Sequence, residues 1–375
     1  MGRLAHAGGG VATKRRTEPL TPRTGAARVT VKDVAKLAGV SLGTVSNALN
    51  RPTLVAPETL AKVQAAVDQL GFVRNSAAHQ LRGGRSNSFG AIVVDASNPH
   101  VAAAIRGLED AIHTRGASLV VCSSDGSAER ERRYLQMLEE QRVQGIVITP
   151  VDRGVRRLEA LRERGTAVVL LDHASAAGDF CSASVDHALG SELSARHLFD
   201  RGHRRIAFVN GPLNLRQCSA RRRGARRAAA TAGLDPDDAI VELDLTSISA
   251  LGEVPPLIEK VCAAPRGERA SAVLCLDDAV ALVVLRVLAE HRLRVPRDIS
   301  VIGYDDVAYA ALLAPALTSV RQPTYELGQA AGQLLLAEIH DGYHVHQHLN
   351  FQPELILRES DSARARLNRY DPRGG

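Results

Sequence analysis

The chain has 375 residues, enough for two or three separately cored domains rather than one. It is 45% hydrophobic, yet no apolar run approaches the roughly 20 residues a membrane helix needs, and its basic start is followed by no apolar segment of a secretory signal. The formal charge is +6, and residues 1–85 hold 13 Lys and Arg against 4 Asp and Glu, whereas the rest holds 34 against 37. All the positive excess therefore lies at the front, where a polyanion would use it.

Residues 1–27 are rich in Gly, Thr and Arg without periodicity and are predicted to be a disordered basic tail, with Arg3, Lys14, Arg15 and Arg16 solvated. Over 30–50 the pattern changes. Thr30 and Asp33 have capping-box spacing, and Val34, Leu37 and Ala38 follow at helical intervals. Gly39 breaks the helix and Ser41 is placed to cap a second. There Val45, Ala48 and Leu49 share a face, leaving Leu42, Gly43, Thr44 and Asn47 outward. Two helices across a Gly turn are the pattern of a helix-turn-helix or of an ordinary helical hairpin. A third helix is predicted from Pro57, with Leu60, Val63, Val67 and Leu70 as its stripe and Gly71 as its end. Residues 75–85, NSAAHQLRGGR, form a short helix-capable segment that runs into a Gly-Gly break.

VTVKDVAKLAGVSLGTVSNALNRP followed by LGFVRNSAAHQLRGGRS resembles the DNA-binding headpiece and hinge of the lac-repressor (LacI/GalR) family without a gap. The resemblance implies that Leu42, Gly43 and Asn47 occupy base-reading positions. Asn47 could bond an adenine edge and Leu42 touch a thymine methyl, whereas Gly43 offers no side chain. Thr44 and Ser46 suit contacts to the phosphate backbone, which position without specifying, and Thr30 is counted with the DNA-binding residues. Leu81 falls where the family wedges a leucine between base steps of the minor groove. A helix as short as the hinge should fold only when docked on DNA and its partner.

From Phe89 the runs FGAIVVD, SLVVCSS, GIVITP and AVVLLD alternate with helical stretches near 100–115, 128–141 and 154–164. A second series starts near Ser184 with RIAFVN, an Arg-rich helix over 219–232, AVLCLDD, a helix over 278–290 and ISVIGYDD. Nearly all-apolar strands alternating with helices imply parallel sheets covered on both faces. The predicted fold is thus an all-α headpiece with a hinge, then two doubly wound α/β subdomains like a periplasmic binding protein. Domain boundaries are expected at 28–83 for the headpiece (hinge 75–83) and 86–360 for the core. The N-subdomain is assigned 87–184 plus 319–345, the C-subdomain 185–318 plus 346–360, and 361–375 a polar tail. No leucine heptad closes the chain, so a homodimer is expected rather than a tetramer.

Ligands on such sheets sit at the carboxyl ends of strands. The polar residues there are Asn98, Asp172, Arg221, Asp277 and Asp305. The resemblance implies that Arg221 and Asp305 are the ligand-binding arginine and aspartate, suited to vicinal hydroxyls. Asp277 stands where an asparagine is usual, and His100 where a ring often packs on the ligand. His344, His346 and His348 alternate onto one strand face, read as a solvated edge rather than a metal site. Cysteines 122, 181, 218, 262 and 275 are odd in number and form no CxxC, as for reduced thiols of a cytoplasmic protein.

GxGxxG, GxxxxGK[ST] and HExxH are all missing, and the adjacent pairs Asp277-Asp278 and Asp305-Asp306 should face opposite ways. No enzyme, metal or cofactor is expected. The reading is a cytoplasmic, nucleoid-associated, homodimeric repressor of palindromic operator DNA, controlled by a sugar-like small-molecule effector between the core subdomains. A solute-binding module or an activator with the same cleft is the alternative.

Overall fold

The computed structural model describes residues 29–72, 86–151, 156–173, 178–265, 267–340 and 345–363, which form two separately packed units. The first is helical. Helix α1 (Val31–Ala38) starts where the Thr30 N–H and hydroxyl both donate to Asp33 Oδ2, at 2.8 and 2.7 Å. It stops at Gly39, whose φ of +67° lies in the left-handed region that glycine enters without steric cost. Helix α2 (Leu42–Asn50) is capped by Ser41 Oγ, which accepts from the Thr44 N–H at 3.0 Å. Helix α3 (Pro57–Leu70) closes the unit, and Val34, Ala35, Val45, Ala48, Val63, Ala66 and Phe72 are its buried core. The predicted stripe of α1 needs one correction. Leu37 is 45% exposed and Ala35 is buried in its place, because residues two apart on a helix point to nearly opposite sides.

The second unit carries two six-stranded sheets. The first holds β1 (Ser88–Val93), β2 (Ser118–Ser123), β3 (Gly145–Ile148), β4 (Ala167–Leu171), β5 (Cys181–Val185) and β11 (His348–Phe351), in the order β11-β5-β4-β3-β1-β2. Every pair in it is parallel. The second holds β6 (Ile206–Asn210), β7 (Ile240–Asp244), β8 (Ala272–Leu274), β9 (Ser300–Asp305), β10 (Thr318–Arg321) and β12 (Glu354–Ile356), in the order β12-β10-β9-β8-β6-β7. Only β12 runs antiparallel, against β10. Helices α4 (Pro99–His113), α5 (Ala128–Glu140) and α6 (Arg156–Glu163) belong to the first sheet. Helices α7 (His187–Asp200), α8 (Arg216–Thr231), α9 (Pro236–Ala239), α10 (Val254–Ala263) and α11 (Asp278–Glu290) belong to the second. Helix α12 (Thr324–His340) returns to pack on α4 and on strands of the first.

The chain therefore crosses between sheets three times, after β5, after β10 and after β11. Two predicted boundaries move. Residues 319–321 belong to the second sheet, where Ser319, Val320 and Arg321 pair with Gly303, Tyr304 and Asp305 of β9. Residues 348–351 belong to the first, paired with 182–185 of β5. Four-residue strands carry too little pattern to name their sheet; backbone pairing chooses it. The tail assigned from 361 also begins too early, since Asp361 is buried and bonded to His197 and Thr318 at 2.7 Å each.

Helix α7 escapes a pattern search because most of its buried face is small or polar, His187, Gly190, Ser191, Ser194 and Ala195, with Leu198 and Phe199 buried only in its last turn. That face lets α8 come close, and a Cβ at Gly224 would run into the Ala188 carbonyl. Among the described residues no helix is long and apolar enough to cross a membrane. All five cysteines are free thiols.

Candidate DNA-binding face and effector cleft

On the helical unit, Leu42, Gly43 and Asn47 all stand exposed along α2, Leu42 at 48% despite being aliphatic. Burial of Val45 and Ala48 fixes this: one helix face is spent on the core, so its opposite face is presented outward. Thr44 is half-buried and its hydroxyl pairs with Ser41 Oγ at 2.9 Å; Thr30 is exposed and engaged with Asp33. Residues 75–85, with Leu81, lie outside the described residues.

In the second unit all six residues singled out from sequence converge where strands of both sheets end. Asn98 caps α4, its Oδ1 accepting from the His100 N–H at 2.8 Å. Its Nδ2 reaches across to the other subdomain, donating to Asp305 Oδ2 at 3.2 Å and Asp277 Oδ2 at 3.5 Å. Gln322 Nε2 donates to Asp305 Oδ1 at 2.7 Å, which sets its amide orientation because a carboxylate only accepts. The same nitrogen lies 3.3 Å from His100 Nε2, so that ring nitrogen accepts and Nδ1–H donates to Thr324 Oγ1 at 2.7 Å. Burial pushes the His100 pKa down against the opposing pull of Asp305, in keeping with this neutral ring.

Arg221 is buried. One guanidinium nitrogen donates to the Leu276 carbonyl, another lies 3.9 Å from Asp305 Oδ1, and Cζ stacks 3.6 Å from the Tyr304 ring centre. Asp172, just past β4 with a φ of +54°, bonds His187 Nε2 at 2.7 Å. Burial raises its pKa, but the charge and hydrogen bond of His187 outweigh that and bring it to about 2. Asp277 goes the other way. Burial first, then the nearby Asp305 carboxylate, lift it to about 7, while its Oδ1 caps α11 through the Val280 N–H at 2.7 Å. Asp278 points elsewhere, to Ser319 Oγ at 2.6 Å and the Val307 N–H at 2.8 Å, and the same two causes raise it to about 8. A Cβ at Gly303 would collide with that Asp278 carboxyl. Asp306 likewise turns from Asp305 toward Arg321 and Arg358.

Four buried polar atoms around this cluster find no hydrogen-bond partner: Arg221 Nε, Tyr304 OH, Gln322 Oε1 and His187 Nδ1. Buried polar groups are rarely left so, and four together describe a lining shaped for a polar guest. Beyond His187 a groove of about 400 Å³ opens between Asp172, His173, Ser184, Arg216 and His348.

The described fold has close counterparts. Residues 30–75 match the family described as bacterial regulatory proteins, lacI family, and residues 195–360 match the periplasmic binding protein-like domain. The chain is 33% identical over 334 residues to the HTH-type transcriptional repressor PurR of Aliivibrio fischeri (strain MJ11), covering 88% of this chain and 98% of the relative. It belongs to the LacI family. The ribose operon repressor of Escherichia coli (strain K12) is 34% identical over 333 residues, covering 88% and 99%. Among solved structures, a lac repressor dimer bound to operator and the anti-inducer ONPF superposes with a TM-score of 0.73 at 28% identity, covering 89% of this chain and 99% of that one. This LacI-family chain is thus a DNA-binding transcriptional regulator with an effector-controlled core, and its relatives are repressors rather than enzymes.

Sequence reasoning missed Gln322, Thr324, Tyr304 and His187. Gln322 was legible as a polar strand end after SVR, and Tyr304 as the neighbour of Asp305. His187 had no signal, since its role depends on α7 lying beside β4.

Proposed function

We propose that the chain is a homodimeric repressor that acts in the cytoplasm, at the nucleoid, on a palindromic operator. Leu42, Gly43 and Asn47 read bases, Thr30 and Thr44 hold phosphates, and Leu81 wedges the minor groove. The effector is a sugar or sugar derivative held between the subdomains by Asn98, His100, Asp172, Arg221, Asp277 and Asp305. The observation that carries the reading is the set of orphaned polar atoms among carboxylates from both subdomains. A guanidinium that donates beside carboxylates that accept suits vicinal hydroxyls, each of which does both. Relatives support the class: one represses a ribose operon, and a regulator complexed with cellobiose covers 89% of this chain with a TM-score of 0.64 at 28% identity. The aromatic content is 3% with no Trp, so recognition here rests on hydrogen bonds more than ring stacking.

Binding would replace the Asn98 bridges to Asp277 and Asp305, changing how tightly the subdomains hold each other. A coupling of ~1–3 kcal/mol would shift operator affinity about 5- to 150-fold. The test is calorimetric titration of the full chain with ribose, other pentoses and hexoses, and with carboxylic acids and nucleobases that lack vicinal hydroxyls, each with and without selected operator DNA. One-site binding by a sugar, together with changed operator affinity, is the expected result. Binding only by ligands without vicinal hydroxyls would overturn the sugar class.

A further inference from the structure

At the opposite end of the first sheet from the cleft, where its strands begin, three metal-ligating side chains meet. Cys181 opens β5, His346 precedes β11, and Glu338 lies in the last turns of α12. Cys181 Sγ, a ring nitrogen of His346 and a carboxylate oxygen of Glu338 all lie within 4.8 Å of one another. The residues come from three elements brought together by the chain's return to the first sheet, so no local motif announces them. Among the described residues this is the one grouping of His, Cys and carboxylate donors close enough to share an ion.

The geometry points to a binding site for a thiolate-preferring divalent cation, zinc foremost, held by Cys181 Sγ, His346 Nδ1 and a Glu338 oxygen. Sγ and Nδ1 stand 3.8 Å apart, near the about 3.5 Å that separates two such donors on a tetrahedral zinc with bonds of roughly 2.0–2.3 Å. The sulfur also accepts the Gln347 N–H at 3.4 Å, a contact that partly offsets the burial holding the metal-free thiol's pKa above its ordinary value. Glu338 Oε2 is buried and has no hydrogen-bond partner. Burial pushes its carboxyl up to about 7, against the opposing Val168 N–H and Arg162. Among the described residues three protein donors are present, one short of a tetrahedral set.

His346 Nε2 now lies 3.2 Å from Arg162 Nη1, so in the metal-free arrangement it accepts and Nδ1–H faces the sulfur. On metal binding the Cys181 thiol and the fraction of Glu338 that is protonated lose their protons to solvent, the ring proton moves from Nδ1 to Nε2, and Arg162 releases the ring. Arg162 keeps its bond to the Asp179 carbonyl and its place over the Phe180 ring. His346 thus departs from the solvated edge expected from sequence, since it meets Cys181 and Arg162; His348 does stand exposed on the edge strand β11, with Nδ1 3.0 Å from Ser182 Oγ, and His344 lies outside the described residues.

The test is cobalt(II) titration of the reduced, metal-stripped full chain. One equivalent should raise a thiolate-to-cobalt charge-transfer band in the near ultraviolet, and one equivalent of zinc should bleach it. Cys181→Ser should abolish the band, and His346→Ala and Glu338→Gln should each weaken zinc binding at least about tenfold. Zinc should raise the unfolding temperature of the parent chain and not of Cys181→Ser. If Cys181→Ser fails to fold, the other two variants decide. No band at stoichiometric cobalt, or uptake unchanged across the variants, would overturn the site.

Discussion

The helical unit and the cleft deploy their polar residues in contrary ways. On α2, Leu42, Gly43 and Asn47 are exposed, and burial of Val45 and Ala48 holds them there. In the cleft the polar residues are already engaged with the protein itself: Asn98 with Asp277 and Asp305, Gln322 with Asp305 and His100, Arg221 with Leu276 and Tyr304. A reading face needs residues left idle by the fold. An effector-controlled cleft needs residues whose internal bonds a ligand can replace, because only bonds that differ between two states transmit anything.

The comparison can be broken most forcefully by separating the two units. A chain beginning at Ser86 is expected to keep effector affinity within about twofold and to lose operator binding entirely, since each unit has its own core. Loss of both in gel-shift and calorimetric assays would show that the units depend on each other to fold. Next in size is Arg221→Ala, expected to erase the effector's ~5- to 150-fold control of operator affinity while leaving effector-free DNA binding intact. Arg221→Lys, which keeps the charge but not the planar fork, should recover little of it. A normal response in fluorescence anisotropy would remove Arg221 from the site.

Asp277 gives a smaller, pH-dependent effect. Its folded pKa, about 7, lies above its ordinary 3.8, so the native state holds a proton that the unfolded chain has released. Its contribution to stability therefore falls as pH rises from about 4 to 7, and the full penalty remains above that. Asp277→Asn can keep the cap on α11 without the charge. Its stability relative to the parent should grow by on the order of 2 kcal/mol between pH 5 and 8 in denaturant unfolding. A flat difference would mean the carboxyl is ionised throughout. Smallest is Ser41→Ala, which removes the cap of α2 and should cost the helical unit about 1 kcal/mol. Unfolding of the core should stay unchanged, and a shift there would contradict independent packing.

Much of this molecule was written locally. The Thr30–Asp33 cap, the Gly39 break, the Ser41 cap and the apolar faces of α2 and α3 are short-range features, and hydrophobic spacing placed the central strands of both sheets because those strands are buried on both sides. Asn98, Asp172, Asp277 and Asp305 could be named because polar residues that end apolar runs stand out, whereas the family resemblance pointed to His100 and to Arg221, which stands on helix α8. Tertiary structure alone decided the rest. It assigned residues 319–321 and 348–351 to their sheets, hid the small-residue face of α7, brought His187 and Gln322 into the cleft, and joined Cys181, Glu338 and His346. Each of those depends on backbone pairing or close approach between segments distant in the chain, and no local period encodes such a meeting.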